Sequence, residues 1–258
     1  MTLSADEMTD AGLHLDLTDA VATVTLSRPE VRNAQTPAMW HALARIGEQL
    51  PDSTRVVVVR GAGQSFSAGL DRAMLDPATG DVARLLQESD EAISKAIDGY
   101  QQGFTWLRDP RFVSIAAVHG YAIGAGFQLA LSCDLRVVAE DAQFSMKEPA
   151  LGLVPDLTGT KPLVEAVGYQ RALEICATTR MLGAAEAVDI GLALIAVPAD
   201  QLEATVAHLV QALTAPTAGA VTETKRLLQS AAEQDLETQR RLEREAQVRR
   251  FRELATGE

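Results

Sequence analysis

The 258-residue sequence is poor in cysteine, histidine and aromatic residues, and each shortage excludes a class of protein. Its two cysteines, Cys133 and Cys176, lie far apart in apolar, helix-like segments, which gives no basis for a disulfide framework. No two of the four histidines have metal-ligand spacing within one element, so we expect no metal site. Aromatic residues make up 4% of a chain that is 47% hydrophobic. The core must therefore be built mainly from Ala, Val, Leu and Ile, which favours buried parallel sheet covered by helices.

Positive charge is also scarce, since 23 Lys and Arg residues face 35 Asp and Glu residues for a net charge of −12. Such a chain is repelled by nucleic acids and anionic membranes, and we expect neither as a partner. Residues 1–10 lack the basic and apolar parts of a signal peptide, so a cytoplasmic protein is expected. The longest apolar run, 113–131, is interrupted by glycines, which favours a turn between buried elements over a membrane helix.

Strand-like and helix-like patterns alternate along the first two hundred residues. Two β-rich runs at 13–17 and 21–26 predict a hairpin, and Thr36 followed by Pro37 predicts a helix that ends before Pro51. The remaining patterns predict strands at 56–60, 114–118, 135–139, 143–146 and 194–197, and helical segments over 81–108, 126–133 and from 159 onward. Asp200 is predicted to cap the helix after the last strand. We therefore predict a core over residues 1–197 and a helical region over 198–258.

Two glycine-rich loops each follow a predicted buried strand. The first is Gly61–Asp71 and the second is Gly120–Gly126. Backbone N–H groups at such turns can stabilise the negative oxygen of an enolate formed from a thioester. Turn glycines are common, however, so two ordinary turns are the alternative interpretation.

Several motifs, taken together and in order, resemble the crotonase (enoyl-CoA hydratase/isomerase) superfamily. They are Ser27–Ala34, Ser65–Asp71, Gly124–Gly126, Asp134 and Phe144–Pro155. The resemblance implies an α/β fold with a crotonase-type ββα spiral core and a helical C-terminal trimerisation region. It also implies a homotrimer or homohexamer that acts on acyl-CoA thioesters, with coenzyme A as part of the substrate and no further cofactor. By the same resemblance, the oxyanion-hole donors are the N–H groups of Leu70 and Ala125.

Three residues are candidates for the acid–base chemistry. Glu148 matches one of the two family carboxylates, and its apolar neighbours predict a desolvated carboxyl with a raised pKa. Gln128 stands where family hydratases have a second glutamate, and an amide cannot exchange a proton at neutral pH. It either orients a substrate or water, or hydrogen-bonds backbone groups at a helix start. Asp156 matches an aspartate of the dienoyl-CoA isomerase branch, or it caps the helix that begins near Gly159.

By the same resemblance, Arg28, Arg32, Ala68 and Asp71 border the coenzyme A, although the two arginines could equally be solvated loop charges. Weaker candidates are His119 for catalysis and Lys225 with Arg226 for contacts with coenzyme A. We expect an enoyl- or dienoyl-CoA isomerase. A hydratase that uses Glu148 alone, and a weakly active CoA-thioester-binding protein, are the alternatives.

Overall fold

The computed structural model describes residues 4–256 and contains two β-sheets. Six strands form the larger sheet in the order β1-β2-β3-β4-β6-β9, and three form the smaller one in the order β5-β7-β8. Only the first pair of the larger sheet is antiparallel; its other neighbours are parallel. The strands are β1 Leu13–Thr18, β2 Val21–Leu26, β3 Val56–Gly61, β4 Val113–Val118, β5 Tyr121–Ile123, β6 Leu135–Ala139, β7 Gln143–Ser145, β8 Leu182–Gly183 and β9 Ile195–Val197.

Helices surround these sheets and make up the chain after β9. They are α1 Ala5–Asp10, α2 Pro37–Gln49, α3 Asp81–Leu85, α4 Asp90–Thr105, α5 Ala125–Ser132, α6 Thr160–Thr178, α7 Ala184–Asp189, α8 Leu202–Thr214, α9 Ala218–Ala231 and α10 Leu236–Thr256. Helix α6 is broken at Gly168, whose φ is 75°. In the described part of the chain no helix is both long and apolar enough to span a membrane.

The larger sheet is buried on both faces, which explains the unbroken valine run of β3. Val57 and Val59 belong to the main core, together with residues of α2, α4 and α5. Val56 and Val58 point to the opposite face and pack in a second cluster with Leu202 and other residues of α8. The predicted α/β class, with a parallel sheet covered by helices, is confirmed.

Local signals in the sequence located the first elements correctly. Leu13 pairs with Leu26 in the predicted hairpin, and the Thr36 hydroxyl accepts a hydrogen bond from the Met39 N–H at the start of α2. The segment predicted as helical over 81–108 is divided into α3 and α4, because Ser89 caps α4 by accepting a hydrogen bond from the N–H of Ala92. Of the smaller sheet only β7 was predicted, as a strand over 143–146; β5 and β8 were not, since they are only three and two residues long.

The predicted cap at Asp200 is wrong. A 3₁₀ turn, Ala199–Gln201, follows Pro198 and delays the helix, so that α8 begins at Leu202 with Gln201 as its N-cap. Pro198 cannot continue the strand ladder and its fixed φ favours such a turn. The division of the chain at residue 197 stays a prediction.

A buried ion pair attaches α9 to the main sheet. The Lys225 ammonium donates to the Asp134 carboxylate at 2.6 Å and to the carbonyls of Asp109 and Phe112 at 2.8 and 2.7 Å. The Asp134 carboxylate also accepts from the backbone N–H of Ser114 at the start of β4. The Lys225 side chain is only 9% exposed, so it is a structural residue and not a coenzyme A ligand.

Replacing Lys225 with alanine is expected to lower the free energy of unfolding by about 3–5 kcal/mol, because the Asp134 carboxylate then stays buried without its cation. Urea unfolding followed by circular dichroism measures this change. The matched control is Lys161→Ala, which removes only exposed ion pairs to Glu165 and Glu233 and should have little effect. Equal losses for the two variants would contradict the structural role of Lys225.

Candidate active site

A cavity of about 1250 Å³ opens between the two glycine-rich loops and helices α3 and α4. Most of the residues predicted for the site line it, namely Arg32, Ala68, Leu70, Asp71, Ala125, Glu148 and Asp156. Arg28 and Gln128 lie behind its wall and are not among the lining residues. The structure therefore brings the predicted oxyanion-hole residues and both carboxylates to one cavity.

The first oxyanion-hole candidate, Leu70, is held in an extended segment beside Gln35. The N–H of Gln35 donates to the Gly69 carbonyl, and the N–H of Asp71 donates to the Gln35 carbonyl, both at 2.7 Å. Because the two flanking residues make these bonds, the N–H of Leu70 points away from Gln35. This donor is left for a ligand in the cavity.

Buried polar side chains fix the loop that carries Leu70. Asn33 donates its side-chain amide to the carbonyls of Ala62 and Ser65, both at 2.8 Å. The Ser67 hydroxyl donates to the Asn33 carbonyl and accepts from the Gln35 side-chain amide. Because polar groups inside a protein are costly unless they are paired, this network makes the loop geometry rigid. Asn33, Gln35 and Ser67 were not predicted as positioning residues, because the partners in these hydrogen bonds lie about thirty residues away in the chain.

The second oxyanion-hole candidate, Ala125, is the first residue of α5, where backbone N–H groups have no acceptor within the helix. It follows Gly124, whose φ of 50° is readily adopted only by glycine. A side chain at Gly69 would place its Cβ 2.5 Å from the Ile123 carbonyl oxygen and 3.6 Å from the Ala125 nitrogen. The two glycine-rich loops therefore touch, and their free N–H groups open into the same cavity.

Glu148 lies beside these donors, at the start of the 3₁₀ turn Glu148–Leu151 that follows β7. It is 6% exposed, and a Cβ at Gly124 would lie 3.2 Å from its Oε1. Oε1 accepts a hydrogen bond of 2.6 Å from the Gln128 amide, while the buried Oε2 has no partner within residues 4–256. Burial raises the pKa of Glu148, and the charge of Asp156 raises it further. Such a carboxyl is suited to accept and return a proton.

Gln128 is fully buried on α5 and joins three segments. Its Oε1 accepts from the N–H groups of Leu157 and Gly159, at 2.9 and 3.2 Å, while its Nε2 donates to Glu148. Since the two backbone donors fix which end of the amide carries oxygen, the Nε2 group must face the carboxylate. The amide hydrogen-bonds backbone groups before α6, which is the second of the two predicted roles, and it also orients Glu148, which was not predicted.

Asp156 lines the cavity in the loop before α6 and is partly buried. Burial raises the pKa of its carboxyl. The N-cap of α6 is Gly159, and no side-chain hydrogen bond caps this helix, so the structure does not support the cap interpretation. The backbone carbonyl of Asp156 accepts a hydrogen bond of 2.7 Å from the Gln101 side chain, which anchors the loop to α4.

The two arginines expected to border coenzyme A differ in their contacts. The guanidinium of Arg28 already has partners within the protein, because it pairs with Asp71 at 3.0 Å and donates to the Ala34 carbonyl at 2.6 Å. Arg32 lines the cavity, and its guanidinium lies 5.8 Å from the centre of the Tyr121 ring. Of the two predicted arginines, only Arg32 is therefore placed to meet a ligand.

His119 has a structural contact in the turn after β4. Its Nε2 lies 3.0 Å from the carbonyl oxygen of Gly63, in the other glycine-rich loop, and the residue does not line the cavity. Over the described range 4–256, no group of three or more His, Cys, Asp and Glu residues could hold a metal ion.

The family model for enoyl-CoA hydratase/isomerase matches residues 16–256. The chain belongs to this family. The α/β fold with its helical C-terminal region is the crotonase fold expected from the motifs, and the family assignment is confirmed.

Solved structures of this family include one that matches the chain over almost its whole length. A protein from Thermobifida fusca, provisionally assigned as an enoyl-CoA hydratase and crystallised with CoA, is 51% identical, with a TM-score of 0.95 and 99% of both chains covered. A T. fusca structure with the same assignment contains acetoacetyl-CoA and is 49% identical, with a TM-score of 0.94, covering 98% of this chain and 100% of that one.

Two curated family members represent different activities. The mouse mitochondrial Δ(3,5)-Δ(2,4)-dienoyl-CoA isomerase is 36% identical over 67% of this chain and 54% of its own length. A provisionally assigned enoyl-CoA hydratase from Mycobacterium bovis is 31% identical over 70% of this chain and 67% of its own length. The chain thus spans about half the length of the curated isomerases that it matches.

Replacing Gln128 with leucine is expected to raise the pKa of Glu148 further, because the lost amide donor stabilises the ionised carboxylate. It should also lower the free energy of unfolding by about 1–3 kcal/mol for each of the two N–H groups left unpaired. Carbon-13 NMR titration of the Glu148 carboxyl measures the pKa. Gln101→Leu is the matched control, since Gln101 donates its hydrogen bond to the backbone carbonyl of Asp156 and not to the Glu148 carboxylate. An unchanged pKa in Gln128→Leu would contradict the positioning role.

Proposed function

We propose that this family member moves a carbon–carbon double bond in an enoyl- or dienoyl-CoA. One observation carries the proposal: the Gln128 amide occupies Oε1 of Glu148, and the buried Oε2 has no partner in the part of the chain that the structure describes. A carboxylate held in this way has one oxygen for proton transfer. Proton removal and return by a single base is sufficient for double-bond migration.

The reaction begins with a proton on C2 of a 3-enoyl thioester, which the neighbouring carbonyl makes acidic. Oε2 of Glu148 takes this proton, and the electron pair moves into the thioester to form a dienolate. The N–H groups of Leu70 and Ala125 stabilise the negative oxygen. Glu148 then returns the proton to C4, which gives the 2-enoyl thioester and restores the carboxylate. The proton is conserved, so the proposed reaction needs no metal or redox cofactor, and coenzyme A enters as part of the substrate.

Hydration of a 2-enoyl thioester makes a different demand on the site. A water molecule has to be oriented and deprotonated, for which family hydratases use two glutamates. Here the second position is Gln128, whose oxygen is occupied by the N–H groups of Leu157 and Gly159. Because its amide neither ionises nor lines the cavity, the arrangement favours migration over hydration.

Asp156 supports the dienoyl form of the reaction. In a 3,5-dienoyl thioester, a proton leaves C2 and another is added at C6, which shifts both double bonds. Either one carboxyl exchanges protons with both C2 and C6, or one carboxyl takes the proton from C2 and a second one donates a proton to C6. Glu148 and Asp156 line one cavity, and burial raises the pKa of each.

We also propose that the chain works as a homotrimer or homohexamer. The C-terminal helix α10 supports this proposal, because Val248, Phe251 and Leu254 on it are large apolar side chains that stay 48–64% exposed. Such residues favour a protein contact.

Isomerisation and hydration can be separated by absorbance, because migration from the 3-position creates the 2-enoyl thioester chromophore and hydration removes it. The unaltered protein should isomerise 3-enoyl-CoA faster than it hydrates 2-enoyl-CoA. Glu148→Gln is expected to lower the isomerisation rate about 10²–10⁴-fold, as is typical when a general base is lost. In the unaltered protein, kcat/KM should rise with pH through the raised pKa of Glu148, because the ionised form is the base.

The matched control for Glu148→Gln is Glu140→Gln, which alters an exposed carboxylate and should keep the normal rate. Faster hydration than isomerisation by the unaltered protein would overturn the proposed function. A normal isomerisation rate in Glu148→Gln would exclude Glu148 as the base.

The role of Asp156 can be measured by comparing two substrates. If Asp156 shares the proton transfer in a dienoyl shift, Asp156→Asn should slow 3,5-dienoyl-CoA isomerisation at least about tenfold more than 3-enoyl-CoA isomerisation. The measurement is the ratio of kcat/KM values in the variant and in the unaltered protein. An unchanged ratio would exclude Asp156 as the second acid.

A further inference from the structure

An apolar stripe on α4 runs out of the protein core and into the cavity. Ile93, Ile97, Tyr100 and Phe104 follow one another at helical spacing on one face. Phe104 is fully buried and lies against Trp40, with ring centres 6.3 Å apart. The first three residues of the stripe are only partly buried and line the cavity. Protein side chains therefore cover one end of the stripe, and the cavity lies over the other.

Further apolar side chains around the cavity remain open to solvent. Leu86, at the end of α3, is 69% exposed, and Leu151 and Val154 beyond Glu148 are 47% and 71% exposed. All three line the same cavity as the α4 stripe. Clustered apolar residues that stay exposed around one cavity indicate a binding site for an apolar group.

Helices α3 and α4 form an uncharged side of the cavity, which we call the α3–α4 wall. Among the described residues, those that these two helices contribute to the cavity lining are Val82, Leu85, Ile93, Ile97 and Tyr100. The cations that line the cavity lie on other segments: Arg32 precedes α2, Arg72 follows the first glycine-rich loop, and the Lys147 ammonium donates to the Thr179 carbonyl at 2.6 Å. An ionised group on the acyl chain would lose its hydration against the α3–α4 wall without gaining a partner there.

Two aromatic rings make part of the wall rigid. Tyr100 packs against Trp40 with ring centres 5.1 Å apart, and Trp40 donates its indole N–H to the Gln35 side chain at 2.8 Å. Gln35 in turn holds the segment of Leu70, so the apolar wall is tied to an oxyanion-hole donor. The cavity volume of about 1250 Å³ exceeds the roughly 300–1000 Å³ usual for a small-ligand site. This space suits a thioester arm together with a large acyl group.

We infer that this enzyme takes a long, uncharged, apolar acyl chain, which packs against the wall formed by α3 and α4. The inference deepens the proposed function, because it assigns the substrate class of the same site. It is independent of whether the thioester is isomerised or hydrated, since both reactions would use the same acyl pocket.

Saturated acyl-CoA thioesters test the inference without any reaction. Calorimetric titration should give a dissociation constant for decanoyl-CoA at least about 50-fold lower than for butyryl-CoA, which corresponds to half the usual gain per buried methylene. Glutaryl-CoA should bind more weakly than pentanoyl-CoA, which has the same chain length without the terminal carboxylate.

Ile97→Trp fills part of the proposed acyl pocket and should reduce the preference for decanoyl-CoA over butyryl-CoA at least about tenfold. Lys95→Trp introduces the same side chain on α4 at a position that does not line the cavity, and it should keep the preference. Affinities for decanoyl-CoA and butyryl-CoA within threefold of each other would overturn the inference. So would glutaryl-CoA binding as tightly as pentanoyl-CoA. Both outcomes leave the proposed isomerisation untouched, because saturated thioesters do not react.

Discussion

The hydrogen bond between Gln128 and Glu148 is the contact on which the geometry of the site depends. It connects α5, which starts at the candidate oxyanion-hole residue Ala125, with the turn that carries the candidate base Glu148. The same amide binds the backbone of Leu157 and Gly159, next to Asp156. One neutral side chain therefore positions the Glu148 carboxylate and holds the backbone next to Asp156. A Cβ atom added at Gly159 would lie 2.6 Å from Gln128 Cγ, so this packing leaves little room for another arrangement.

Most of the local structure could be predicted because its signals lie close together in sequence. The hairpin, the capped start of α2 and the buried β3 each follow from patterns within a few residues. The cap predicted at Asp200 was wrong because the preceding proline imposes a turn that the helical pattern does not reveal. The smaller sheet is held by tertiary pairing, and two of its strands, β5 and β8, are too short to show periodicity.

Most residues of the candidate site could be predicted from the sequence, but the hydrogen bonds between them could not. Motifs indicated Glu148, Leu70 and Ala125, and the structure places all three at one cavity. The partner of Gln128 lies twenty residues away, and its backbone donors about thirty, so no local pattern could assign these bonds. Arg28 was expected near coenzyme A, yet a folded structure was needed to show that Asp71 and a carbonyl already occupy it.

The neutral amide at Gln128 also limits the negative charge of the cavity. Glu148 is buried and Asp156 is partly buried, and burial raises the pKa of each, so each already resists ionisation. A third carboxylate 2.6 Å from Glu148 would raise these pKa values again, because like charges at that distance cannot readily ionise together. It would also oppose the negative oxygen of a dienolate. Glutamine keeps the hydrogen bond that orients Glu148 and adds no charge, which suits the proposed reaction through a dienolate.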